Sequence, residues 1–247
     1  MNIYEPVPFA QWKNDARNTI TISDLMHMSS GLNWWEFYAA PSDCTNMLFN
    51  EKSMGEFAIR SSLATSPGSV FNYSSGSANM LSYLIRLSLG DSIYYKFPYE
   101  QLFYRAGMYS AVLEQDAGGT FIGSSYCYAT ARDWARFGLL YLNDGIINGE
   151  RIFPEGWVSF TRTPTKAKDE QKRGYGALWW LNKRSNTDNN DKVHPDVPSD
   201  AYACLGYEGQ SVWVIPSKKL VVVRMALEKK HKLDPNDFLP GIIKAVE

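Results

Sequence analysis

Tyr73 heads a run of small and hydroxylated residues, Tyr73-Ser74-Ser75-Gly76-Ser77, that turns apolar at Met80. A phenol titrates near pH 10, so it serves as a base at neutral pH only where cations or the positive end of a helix favour its ionised form. Met80, Leu81, Leu84, Ile85 and Leu87 share one face at helical spacing, which predicts a helix after Tyr73, with Ser74 and Ser75 able to cap it. From the residues alone Tyr73 has two readings. It is a proton-handling group upstream of a helix N-terminus, or an aromatic that buries its ring and bonds its hydroxyl locally.

Other chemistry finds little support. His27, His194 and His231 stand on three separate segments, with no acidic neighbours at ligand spacing, so neither a metal nor another cofactor is expected. The chain has no Gly-x-Ser-x-Gly elbow, no phosphate loop, no dinucleotide fingerprint and no paired-carboxylate signature. Ser124 and Ser125 are hydroxyl candidates with no lysine close in sequence. Cys44, Cys127 and Cys204 are odd in number and widely spaced, which argues against a disulfide framework or a zinc knuckle.

The elements that must position Tyr73 come next. The stretch 20–32, "ITISDLMHMSSGL", predicts a short helix with Ser23 as N-cap and Gly31 as its stop. "EKSMGEFAIRSSL" and "PYEQLFYRAGM" predict further helices, the second ending at Gly107. "TARDWARFGLLYLNDG" places Thr130 and Asp133 in capping-box positions and Trp134, Phe137 and Tyr141 on one face. The last third changes character. "GYGALWWL" (174–181), "SVWVI" (211–215) and "KLVVVRM" (219–225) are strand-like, and Pro216-Ser217-Lys218 joins the last two in a hairpin. Apolar residues on both faces imply helices on both sides of the sheet. A closing helix is predicted after Asp234-Pro235, with Leu239, Ile242, Ile243 and Val246 on its apolar face.

With 247 residues, 45% of them hydrophobic, the chain can bury a substantial core. Its 25 basic and 26 acidic side chains leave a formal charge of −1, so no nucleic-acid or anionic-membrane partner is expected. No apolar run spans a bilayer and the start is not a signal peptide. Pro6, Pro8 and Trp12 read as a connecting loop rather than a domain start. The sequence assigns no compartment.

Several stretches together are similar to the serine β-lactamase/penicillin-binding superfamily, in particular class C β-lactamases and their esterase, D-alanyl-D-alanine carboxypeptidase and 6-aminohexanoate-dimer hydrolase relatives. "ITISDLMHMSSGL", "PGSVFNYSSGSANML", "LFYRAGM", "YATARDWARFGLLYLNDGIINGERIF" and "GYEGQSVWVIPSKKLVVV" follow in the family's order over nearly the whole chain. The resemblance implies an α/β (α+β) fold of the β-lactamase/transpeptidase type, a helical lobe plus an antiparallel sheet flanked by helices. It implies one partial domain over 1–247, with a mostly helical lobe at 20–165 and a sheet lobe at 166–247.

The resemblance also implies roles. Tyr73 and Ser75 stand in the family's Tyr-x-Asn/Ser element. Tyr207-Glu208-Gly209 stands in its Lys/His/Trp-x-Gly element, placed on an edge strand, with the Gln210 backbone N–H facing the oxyanion. Trp34, Trp35, Tyr38 and Glu208 are candidates to line the substrate cleft; Trp179 and Trp180 read better as core. Tyr207 replaces the usual cation, which favours ester or amide hydrolysis over β-lactam or carboxypeptidase activity, and Met28 replaces the usual histidine. The family's Ser-x-x-Lys is not found; the nearest run, "SIYYK", has the wrong spacing and follows Tyr73. The expectation is a serine hydrolase whose first strands and nucleophile helix lie outside this chain and pack on its sheet. The alternative is a non-catalytic peptide- or glycan-binding relative.

Overall fold

Serine or threonine side chains open four α-helices in the first of the two units into which the chain divides. The computed structural model describes residues 2–168, 174–184, 190–228 and 233–246. One unit comprises 1–98, 112–128 and 165–169, the other 99–111, 129–164 and 170–247.

In the first unit Thr21 caps α1 (Ile22–Met26), Ser42 caps α2 (Asp43–Asn50), Ser53 caps α3 (Met54–Ile59) and Ser74 caps α4 (Ser75–Leu89). Each side-chain oxygen accepts an otherwise orphaned N–H of the first turn. Thr21, rather than the expected Ser23, caps α1, because Asp24 returns the bond to the Thr21 N–H at 2.9 Å and completes a capping box. α5 (Asp91–Tyr94) follows α4 directly, and β1 (Val112–Leu113) pairs antiparallel with β2 (Cys127–Tyr128). The segment before α1 is tied down by the Val7 N–H on the Ile20 carbonyl at 2.8 Å and the Trp12 indole on the Ile59 carbonyl at 2.9 Å.

The apolar face read for α4 is only partly right. Met80 and Leu84 are buried, but Ile85 and Leu87 are exposed. The buried surface at the helix start is instead small and polar: Ser75, Gly76, Ser77 and Asn79. Spacing marks a stripe but not which neighbour covers it.

The second unit holds a four-stranded antiparallel sheet in the order β5 (Trp180–Leu181), β6 (Tyr202–Leu205), β7 (Ser211–Ile215), β8 (Leu220–Arg224). Ahead of it in sequence come α6 (Ala131–Leu142), a small hairpin of β3 (Ile146–Ile147) with β4 (Glu150–Arg151), and α7 (Trp157–Thr161). α6, read as part of the helical lobe, thus shares a compact unit with the sheet. "PYEQLFYRAGM" forms a single π-helical turn, Tyr99–Phe103, rather than a full helix.

Alternation along the strands sends two apolar sets to opposite faces. Ala203, Trp213 and Ile215 pack with Leu239 and Ile243 of α8 (Pro235–Val246). Tyr202 and Val214 pack with Tyr141 of α6 and Val158 of α7. Helices therefore cover both faces, as the two-sided apolar pattern requires. Two strand readings change. "GYGALWWL" is strand only at its end; Leu178 has φ 62° and the Leu181 N–H reaches the Gly174 carbonyl at 2.8 Å, so the segment folds back on itself. Tyr202–Leu205, not read as a strand, occupies the sheet interior.

Candidate functional site

The chain turns into α4 at the residues singled out by type. Ser74, extended at φ −146°, accepts the Ser77 N–H at 3.0 Å, and partly buried Tyr73 lies one residue upstream. Asn72 holds this turn in place by donating from Nδ2 to the carbonyl of Trp34 at 3.0 Å. The Ser74 N–H meets the Met28 sulfur at 3.3 Å, where the family pattern has histidine. Met28 itself adopts φ 55°, so its role here is to turn the backbone and fill space. His27 bonds the Ser23 carbonyl through Nδ1 at 2.9 Å. His231 lies outside the described residues.

Glu36, which no motif marked, organises the helix start. Its carboxylate accepts the Ser75 N–H at 2.9 Å, the Ser75 hydroxyl at 2.6 Å, the Trp34 indole N–H at 2.6 Å and the Tyr38 hydroxyl at 3.1 Å. The Cys44 thiol approaches at 3.6 Å. A carboxylate at a helix N-terminus is favoured by the orphaned N–H groups and the dipole there. Its charge acts outward as well. Burial, then the Glu36 charge, pushes the Tyr38 phenol above its ordinary value, and the same two causes push the Cys44 thiol up to about 12. Both groups stay protonated at neutral pH.

The aromatics expected to line a cleft divide. Trp34 is buried at 6% exposure, and its ring lies where a Cβ on Gly76 would come within 2.7 Å. It is a packing residue of the first unit, so the cleft assignment fails for Trp34; its ring meets Phe57 edge-on at 6.2 Å instead. Trp35 is 56% exposed and stacks on Phe37 at 5.9 Å with the rings 3° from parallel. Tyr38 keeps about half of its surface, 52%, exposed, while its hydroxyl is held in by Glu36 and is the part that burial acts on. Trp179 is buried and Trp180 partly so.

In the second unit Tyr207-Glu208-Gly209 forms a tight turn between β6 and β7. This corrects the edge-strand placement: β7 is flanked by β6 and β8, and the triplet precedes it. Glu208 at φ 56° and Gly209 at φ 86° make the bend. A side chain at Gly209 would be strained by that backbone and would meet Glu228 and Arg224. Arg224 donates to the Gly209 carbonyl at 3.0 Å and pairs with Glu228, whose N–H reaches the Glu208 carbonyl at 3.0 Å. The Gln210 side chain clasps Ala226, accepting its N–H at 3.1 Å and donating to its carbonyl. The Gln210 carbonyl accepts the Gly206 N–H at 2.8 Å, while its own N–H has no hydrogen-bond partner among the described residues. Tyr207 is 68% exposed. Among the described residues no group of three His, Cys, Asp or Glu side chains could hold a metal ion.

A family model for β-lactamases matches residues 2–237. The chain belongs to the β-lactamase family. Solved structures share the fold. A Bacillus anthracis protein assigned as a 6-aminohexanoate-dimer hydrolase superposes with a TM-score of 0.75 at 22% identity, over 99% of this chain and 65% of that one. A family VIII carboxylesterase gives 0.72 at 11% identity, over 100% and 77%. A penicillin-binding protein of Bacillus halodurans gives 0.69 at 16%, over 100% and 79%. An uncharacterised protein of Alkalihalophilus pseudofirmus is 27% identical over 100 residues, 39% of this chain and 29% of that protein. The chain thus spans less than two thirds of either the curated relative or the Bacillus anthracis protein.

For a β-lactamase-family chain the site residues fall into two sets. The first unit brings Ser75 and Tyr38 to Glu36, with Tyr73 two residues before Ser75 in the chain, and the second builds the turn from Tyr207 to Gln210. Ser124, the residue-level hydroxyl candidate, instead accepts from Asn79 Nδ2 at 2.8 Å. The one signal that pointed to Glu36 was its position as a lone acid in the aromatic run Trp34-Trp35-Glu36-Phe37-Tyr38.

Proposed function

We propose that this chain carries the proton-handling and oxyanion-holding parts of a serine hydrolase that cleaves an ester or amide through an acyl-enzyme. A serine hydroxyl becomes an effective nucleophile when a neighbouring group takes its proton. Tyr73 has that role in this reading: its phenol oxygen takes the serine proton as its own proton passes to the neutral lysine of the nucleophile segment. The α4 N-terminus favours negative charge at the site, but Glu36 already occupies that field. Ser75, whose hydroxyl donates its hydrogen bond to Glu36, keeps its oxygen lone pairs to accept from the lysine partner of the nucleophile. The Gln210 N–H donates to the developing oxyanion, a class of contact whose loss typically lowers kcat by about 10²–10³. The serine and lysine are supplied by a Ser-x-x-Lys segment outside these 247 residues.

The observation that carries the reading is the capped start of α4, with Ser75 held by Glu36 and Tyr73 just upstream of the Ser74 cap, in a chain of this family. Tyr207 in place of a cation supports a neutral ester or amide over a substrate recognised by its carboxylate. Fluorophosphonate labelling tests it. The 247-residue chain should form no adduct, and a protein extended along the upstream reading frame should form one. Tyr73→Phe in the extended protein should slow labelling by roughly 10²–10⁴. An adduct on the 247-residue chain, or a stop codon upstream before any Ser-x-x-Lys, would overturn the proposal. The exposed Trp35–Phe37 stack favours one second reading, a peptide- or glycan-binding relative. That reading requires saturable quenching of Trp35 fluorescence by such a ligand and no labelling of either protein.

A further inference from the structure

We propose that the second unit contains a binding pocket for a small carboxylate with an apolar body, centred on Arg162. None of the residues involved belongs to the hydrolase reading above, so the two stand or fall separately.

The pocket has a volume of about 560 Å³, inside the roughly 300–1,000 Å³ typical of ligand sites. Val158 of α7 and Leu181 of β5 contribute apolar wall, and Arg162, Lys183, Asp144 and Asp200 contribute charge. The Arg162 guanidinium lies 4.7 Å from the centroid of the Tyr202 ring. It donates once, to the Asp200 carbonyl at 3.3 Å, and has no carboxylate partner among the described residues. A guanidinium carries five donors in a planar fork that matches a carboxylate. Held over the Tyr202 ring, the guanidinium keeps further N–H donors beyond that one bond to offer a carboxylate.

The two acids do not compete for it. Asp144 meets Arg151 at 3.5 Å. The Asp200 carboxylate accepts the Ser217 N–H at 2.6 Å and the Ser217 hydroxyl at 2.9 Å. Arg162 and Lys183 line the pocket with Asp144 and Asp200, a balance of 2 − 2 = 0, and both acids are already engaged, so the Arg162 guanidinium suits a ligand of single negative charge. A phosphate dianion would meet both carboxylates with too little positive charge to offset them. The apolar wall adds the second half of the specificity, a short hydrocarbon or ring attached to the carboxylate.

Calorimetric titration of the full chain with hexanoate, inorganic phosphate and hexylammonium tests this. Hexanoate should bind saturably and shift the Arg162 Nε–H resonance, while phosphate and hexylammonium should bind at least tenfold more weakly. Arg162→Gln should weaken hexanoate roughly tenfold to a hundredfold, the usual weight of a charge-assisted hydrogen bond. Because Arg162 also covers Tyr202, a second variant guards against misfolding. Ser159→Trp, at an exposed position of α7 that lines the pocket, should fill it and abolish hexanoate binding. No saturable hexanoate binding, an unmoved Arg162 resonance, equal binding of phosphate or hexylammonium, or unchanged affinity in either variant would overturn the proposal.

Discussion

Glu36 shows how much one side chain can hold. Four hydrogen bonds and a thiol contact converge on its carboxylate, two of them from Ser75 alone. Deleting it leaves a buried indole N–H and the first amide of α4 without an acceptor, and a stranded donor costs more than a made bond contributes. Glu36→Ala should therefore lower stability by about 1–3 kcal/mol. Urea denaturation reads the loss, and amide exchange should accelerate at Ser75 before it does in the middle of α4. A change too small to measure would mean that water replaces Glu36 without penalty.

At the scale of an element, α4 is a helix whose start is shaped by what lies against it. Helix propensity alone predicts that Gly→Ala stabilises by up to about 1 kcal/mol. At Gly76 the new Cβ would sit 2.7 Å from the Trp34 ring, which is buried and cannot swing away. Overpacking of that kind costs about 1–3 kcal/mol, so the net sign is a loss. At Gly241 of α8 an added Cβ would meet nothing within 4 Å, and there Ala should stabilise. Thermal melts of the two variants should move in opposite directions. The same local logic explains why Ser75 and Gly76 are buried while Leu87 is exposed: the wall facing the helix start is Trp34 and Glu36, which needs small and hydrogen-bonding partners.

Across the molecule, acid should be the destabilising direction in the range just below neutrality. His194 donates its backbone N–H to Asn182 at 2.6 Å, and its ring stands edge-on to Trp213 at 5.6 Å. Burial lowers its pKa from the ordinary 6.5, and Asp234 opposes that shift without cancelling it. The folded protein therefore binds fewer protons than the unfolded chain in this range. Stability from His194 is present above about 6.5 and is lost as pH falls from there through the folded value. Urea midpoints should drop between pH 7.5 and pH 5, and His194→Gln should flatten that part of the profile. A midpoint that rises as pH falls through this window would contradict the assignment.

Much of the fold was legible in the chain because its signals are local. Caps, glycine stops and apolar alternation placed α3, α6, α8, β7 and β8, and ordered motifs named the family. Tyr202–Leu205 escaped because a four-residue strand inside a sheet carries too few alternations to stand out from a loop. The cap of α1 moved to Thr21 because the choice rests on a reciprocal bond with Asp24 that composition does not rank. What only the tertiary structure decided were the pairings of residues distant in the chain: Glu36 with Ser75, Trp34 with Gly76, Arg224 with the bend at Gly209, Arg162 with Tyr202. Residue type states which bonds a side chain can make. Which partner arrives is set by packing between segments that the sequence order leaves far apart.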